Sequence, residues 1–119
     1  FAIVDAAMTD LLRPSLYEAW HDVMTYEASP DAPSLPVDIV GPVCESGDWL
    51  AQGRSLAIAE GDLLAILDTG AYGAVMSSNY NARPRAAEVL VYDRKVHLVR
   101  ARQTAEDMMA NEVEHLIEY

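Results

Sequence analysis

The chain holds 119 residues, 51% hydrophobic and 23% charged. That is the length of one domain, with apolar material for a core and too little charge for wholesale disorder. Eight basic against nineteen acidic side chains leave a net charge of −11, which opposes nonspecific binding to nucleic acid and to anionic membrane surfaces. One cysteine excludes an internal disulfide and a cysteine-rich zinc site, and no apolar run approaches the roughly 18 residues of a membrane-spanning helix. Phe1 stands where a whole gene product has Met, and no basic-then-apolar leader follows. The sequence therefore reads as a piece of a longer, cytoplasmic chain.

In chain order, residues 1–8 (FAIVDAAM) are apolar and partly β-branched, and predict a buried strand. Pro14 suits the first turn of a helix, and Leu16, Trp20 and Met24 recur at helical spacing, so a short amphipathic helix is expected over 15–24. Three prolines in 25–36 predict an extended loop. Val37–Val40 alternates and meets the turn signal Gly41-Pro42. Residues 56–59 and 63–67 read as strands on either side of a reversal at Glu60-Gly61-Asp62. Residues 70–78 are small and apolar, fitting a short helix or tight connection. Valine-rich arms around Asp93-Arg94-Lys95 predict a hairpin over 88–102. Thr104 and Asp107 form a variant capping box ahead of a C-terminal helix that runs through Met108, Met109, Val113, Leu116 and Ile117. Five or six short strands with helices at both ends predict a mainly β fold, a Greek-key-like β-barrel.

Three places stand out chemically. Val43-Cys44-Glu45-Ser46-Gly47-Asp48 puts a thiol, a hydroxyl and two carboxylates beyond a Gly-Pro turn, where loops display functional groups. A small buried cysteine beside two solvated acids is the plainer reading of the residues alone. Arg13 sits at a helix N-terminus, where its charge opposes the macrodipole at a cost of roughly 0.3–1 kcal/mol. Tyr17 lies one turn on, so fork and phenol could grip one carboxylate; a surface pair of Arg13 with Asp10 or Glu18 is the plainer alternative. Finally, Gly70-Ala71-Tyr72-Gly73 is followed by Ser78–Arg85, which concentrates Arg83 and Arg85 in an acidic chain; turn-forming residues are the simpler account. His21, His97 and His115 are scattered, so no metal site is expected. The five methionines read as core filler.

Together these segments resemble a known family. Val4–Tyr17 (VDAAMTDLLRPSLY) is similar to the start of the C-terminal domain of the diaminopimelate decarboxylases, fold-type III relatives of the ornithine and arginine decarboxylases. Gly41–Asp48 (GPVCESGD) resembles that family's most specific motif, and Gly70–Gly73 (GAYG) and Ser78–Arg85 (SNYNARPR) resemble two more, in the same order. The resemblance runs from residue 1 to about residue 112. Glu45 and the Asn-Tyr-Asn stretch favour diaminopimelate over ornithine or arginine. Ala7 and Ala82 depart from the usual Gly and Ser, both small.

The resemblance implies that residues 1–119 form the C-terminal β-barrel domain of a two-domain enzyme that decarboxylates meso-2,6-diaminopimelate to L-lysine with pyridoxal 5'-phosphate. An α/β barrel upstream would hold the cofactor through a Schiff-base lysine; Lys95, the one lysine here, lies in a hairpin turn and is not assigned that role. Arg13 and Tyr17 would hold the distal carboxylate of the substrate, and Glu45 the distal ammonium. Cys44 would return a proton after carbon dioxide leaves, since free thiols are mostly protonated at neutral pH. Tyr72 would touch cofactor and substrate. The family works as a homodimer, with the Cys44–Glu45 loop serving the other subunit's site. The fragment alone would be inactive. Two other readings are a barrel that dimerises or regulates without catalysis, and a relative acting on another basic amino acid.

Overall fold

The computed structural model describes residues 1–27 and 33–112. It falls into two units, Phe1–Ser77 and Ser78–Tyr119, taken in turn. The first contains β1 (Ala2–Ile3), α1 (Arg13–Tyr17), β2 (Val23–Thr25), β3 (Ser34–Val40), β4 (Trp49–Ala57), β5 (Leu64–Ile66) and α2 (Gly70–Met76). β3 pairs antiparallel with β4 and parallel with β1, making a three-stranded sheet in the order β1-β3-β4. β2 and β5 form a separate antiparallel pair.

The core is small. Leu11, Ile39, Leu50 and Ala51 are buried together, with Val4, Val23, Val37, Leu56, Leu64 and Ile66 packed around them. Leu50 is wholly inaccessible to solvent. Leu50→Ala should therefore destabilise the full-length protein by about 2–5 kcal/mol, the usual cost of a buried leucine cavity. Urea unfolding measures it; a loss no larger than that of an exposed leucine such as Leu63 would contradict this core.

The start of the chain is extended but not buried. Only two residues form β1, and Phe1 and Ile3 face outward while Ala2, Val4 and Ala6 pack on the core. The helix expected over 15–24 is five residues long. Glu18 adopts a left-handed conformation (φ 53°), and the Ala19 N–H reaches back to the Arg13 carbonyl at 3.3 Å, closing the helix. Leu16 and Trp20 are exposed, and Met24 sits in β2 opposite Ala65. The apolar spacing there reflects a turn followed by a strand, not one helical face. Pro36, placed by sequence in a loop, pairs with Ser55 inside β3. β1 meets β3 only at Ile39 and Val40, so the missing N–H of Pro36 lies on an unpaired edge, where proline is tolerated. The reversal at Glu60–Asp62 is present, with Ala59 N–H donating to Asp62 Oδ2 at 2.8 Å. The strands flanking it pair with different partners, β4 with β3 and β5 with β2.

β4 begins earlier than its sequence suggests. Val37 faces Arg54 while Ile39 faces Ala51, so two steps on β3 span three on β4. Gly53 takes the extra step at φ +62°, a bulge conformation that favours glycine, and donates its N–H to Asp38 Oδ1 at 2.7 Å. Beyond the bulge Arg54 is buried. Its Nη1 and Nη2 donate to the Gln52 and His21 carbonyls at 2.8 and 2.9 Å, and its guanidinium carbon lies 3.1 Å from the Trp20 ring centroid. Burial pushes the Arg54 guanidinium below its usual range, and Asp22 nearby opposes that shift.

The second unit has a 3-10 turn at Tyr80–Ala82, then β6 (Glu88–Tyr92), β7 (Lys95–Arg100) and α3 (Ala105–Met109). The hairpin forms as expected. Asp93 and Arg94 both have positive φ (49° and 58°), the type I′ geometry that matches strand twist. The Thr104–Asp107 capping box is present with both bonds, at 2.8 and 3.1 Å. Val113, Leu116 and Ile117 of the expected helix lie outside the described residues. The fold is thus mainly β, with short helices. Among the described residues the seven strands form three separate sheets and no closed barrel. No helix among the described residues is long and apolar enough to cross a membrane. The methionines do not fill the core: Met24 and Met109 are half-exposed, and the buried cluster contains none.

Candidate functional site

The five residues to which the resemblance gives a role, Arg13, Tyr17, Cys44, Glu45 and Tyr72, lie in the first unit. The structure gathers three of them. Arg13 opens α1 and Tyr17 ends it, one turn apart. α2 brings Tyr72 to the same place. The Arg13 guanidinium carbon lies 4.6 Å from the Tyr72 ring centroid and 5.4 Å from that of Tyr17, both within cation–π range. Guanidinium donors lie in the plane of the group, and their fork suits a planar anion. Both tyrosines are about half-exposed, and Arg13 is partly buried. The cluster therefore faces solvent and can receive a ligand. The position that seemed to violate the helix dipole is held by aromatic contact.

Cys44 and Glu45 are carried on the loop joining β3 to β4, and both are exposed. The alternative of a buried cysteine beside two solvated acids fails twice, because the thiol is outside and Asp48 is inside. Asp48 is 4% exposed. Its Oδ1 accepts the Met8 N–H at 2.7 Å and its Oδ2 the Val43 N–H at 2.8 Å. Backbone bonds lace the same loop: Gly41 N–H to the Asp48 carbonyl at 3.0 Å, Glu45 N–H to Val43 at 2.9 Å, and Asp48 N–H to Glu45 at 3.1 Å. The Ser15 hydroxyl of α1 donates to the Gly47 carbonyl and lies 3.3 Å from that of Trp49. A cleft of about 320 Å³ opens beside the loop, with Asp38, Glu45 and Asp48 in its wall. Asp38 and Asp48 each hold backbone N–H groups, so the three acids have different duties.

Sequence reasoning missed Asp48 and Ser15 as supports. The signal for Asp48 was available: Asp is favoured in loops because its side chain accepts backbone N–H groups. Arg83 and Arg85 fall in the second unit. There Asn79 Nδ2 donates to the Arg83 carbonyl at 2.8 Å and to Gln103 Oε1 at 2.5 Å, and Arg85 and Gln103 exchange bonds at 3.1 Å. That stretch is stitched to its own unit. Among the described residues no three His, Cys, Asp or Glu side chains cluster as metal ligands would. His21 places Nδ1 3.0 Å from the Leu67 carbonyl, and His97 lies exposed on β7.

Comparison with known proteins places the chain in a family. Residues 1–70 match the family described as pyridoxal-dependent decarboxylase, C-terminal sheet domain. A diaminopimelate decarboxylase of Pseudomonas aeruginosa is 59% identical over 112 residues, covering 94% of this chain and 27% of that protein. One from Neisseria meningitidis serogroup B is 55% identical over 113 residues, covering 95% of this chain and 27% of its own length. Among solved structures, the diaminopimelate decarboxylase of M. jannaschii superposes with a TM-score of 0.88 at 40% identity, covering 95% of this chain and 26% of that one. The Helicobacter pylori enzyme complexed with L-lysine gives 0.83 at 44% identity, covering 92% and 27%. The chain spans about a quarter of the length of these relatives. With more than half its residues matching one family, the chain belongs to the pyridoxal-dependent decarboxylases, as their C-terminal sheet domain.

Proposed function

We propose that this chain, over residues 1–119, is the C-terminal β-barrel domain of a diaminopimelate decarboxylase, a cytoplasmic homodimer that converts meso-2,6-diaminopimelate to L-lysine and carbon dioxide. The observation that carries the reading is the Arg13 fork held against Tyr17 and Tyr72, on a chain whose relatives bear that enzyme's name. Diaminopimelate has an amino-acid group at each end, so the end that does not react must be recognised as a zwitterion. Arg13 takes its carboxylate through two in-plane N–H donors, with the Tyr17 hydroxyl beside them. Glu45 takes its ammonium. A diamine without the far carboxylate leaves the Arg13 fork without the anion it is set to take, and is rejected for that reason.

The residues here fit a supporting share of pyridoxal phosphate. Lys95 is exposed at a hairpin end among exposed neighbours, unlike an amine enclosed for covalent work, so the cofactor lysine is assigned to the rest of the subunit. Tyr72 offers a phenol for contact with cofactor and substrate. The chemistry the cofactor supplies when bound is an electron sink for the bond that loses carbon dioxide. Cys44 holds the proton that replaces the lost carboxylate, at Sγ, on the loop that serves the other subunit's site.

Glu45→Gln tests the recognition half. In the full-length enzyme it should lower kcat/KM for diaminopimelate roughly tenfold or more, the weight of a hydrogen bond to a charged group at about 1.5–3 kcal/mol. Steady-state kinetics on diaminopimelate and ornithine give the answer. An unaltered preference between the two would remove Glu45 from the clamp.

A further inference from the structure

Asp48 is the only buried residue between Gly41 and Asp48, and nothing in the reaction uses it. It nevertheless holds four backbone groups. Its carboxylate accepts N–H groups from Met8 and Val43, its carbonyl accepts that of Gly41, and its own N–H is tied to Glu45. Val43 immediately precedes Cys44. Met8 lies on the segment that leads into α1 and Arg13. A Cβ built on Gly41 would fall 2.3 Å from Asp48 Oδ2 and 2.5 Å from Oδ1. Gly41 has no left-handed φ, so space, not backbone freedom, demands glycine there. The Gly41–Asp48 pair is one device: a carboxylate seated against a backbone that has been cleared for it.

We propose that Asp48 is a positioning residue that aims Cys44 and Glu45 by fastening their loop to the segment leading into the Arg13 helix. This rests on the roles given above to Cys44 and Glu45. A carboxylate suits the task because both oxygens accept. Asparagine would turn an NH2 toward one of the two backbone N–H donors, leaving a buried donor without a partner.

In the full-length enzyme, Asp48→Asn and Asp48→Ala should each lower kcat roughly 10²-fold, the scale of an ångström-sized misplacement. Both should also shift the rate at which iodoacetamide alkylates Cys44 in the substrate-free enzyme, read by peptide mapping. Gly41→Ala should reproduce both effects. Gly41→Ala added to Asp48→Ala should cost nothing more, because the obstructing carboxylate has gone. Asp62→Ala, which removes a similar side-chain-to-backbone bond at the Glu60–Asp62 turn, should leave both readouts unchanged. Unchanged alkylation in both Asp48 variants, or Gly41 and Asp48 effects that multiply in the double variant, would overturn the proposal. If Cys44→Ala itself retains full turnover, the catalytic reading fails by that result, while alkylation and the double variant still decide whether Asp48 aims the loop.

Discussion

Cys44→Ala should lower kcat of the full-length enzyme roughly 10²–10⁴-fold, the usual contribution of a positioned general acid, with a far smaller change in KM for diaminopimelate. Loss of carbon dioxide leaves an electron pair that must be met by a proton on one face. Methyl at residue 44 has none to give, and water must then enter to supply it. The thiol is exposed on a loop whose backbone is bonded at Gly41, Val43, Glu45 and Asp48, as the proposed donor role requires. A residue that only packed would be buried, and its loss would move stability instead. Single-turnover measurements separate the proton step from product release. Unchanged turnover would strike Cys44 from the mechanism.

Arg13 should show the complementary pattern. Arg13→Ala removes the carboxylate fork and should lower kcat/KM for diaminopimelate by at least about 10–100-fold, from roughly 1.5–3 kcal/mol of charge-assisted bonding. Arg13→Lys keeps the charge but not the planar fork or its ring contacts, so it should recover little. The discrimination should change as well. On the proposed reading, wild-type enzyme should reject amino acids that lack the far carboxylate, because they strand the Arg13 charge. The alanine variant strands nothing, so its relative activity on a lysine-like diamine should rise. Competition kinetics with the two substrates measure this. Full selectivity in Arg13→Ala would mean that the far carboxylate is read elsewhere.

Local features were legible from the residues. The hairpin around Asp93-Arg94-Lys95 and the Thr104–Asp107 cap formed where short-range chemistry set them, and a helix over Gly70–Met76 takes one of the two forms that residues 70–78 allowed. Features that depend on distant partners were not. Leu16, Trp20 and Met24 have helical spacing, yet Glu18 breaks the turn and Met24 joins a strand whose partner, Ala65, lies far along the chain. The polar stretch Gln52–Ser55 hid most of β4, because a bulge at Gly53 disturbs the alternation that marks a strand. The Arg13–Tyr17 pair follows from helix geometry alone. That Tyr72 would meet the same guanidinium follows only from the fold. Asp48 was misjudged as a solvated acid because burial is not written in a loop sequence.

The β6–β7 ribbon has a consequence for handling the protein. Val89 pairs with Leu98 and Val91 with Val96, which places four aliphatic side chains on one side, each more than half exposed. Two strands alone are marginal in water, and among the described residues β6 and β7 pair only with each other, so an apolar ribbon of this kind invites intermolecular pairing. Polar replacements on that side would therefore improve yield and monodispersity of this segment when it is expressed by itself, and would do so without touching any group assigned to the reaction.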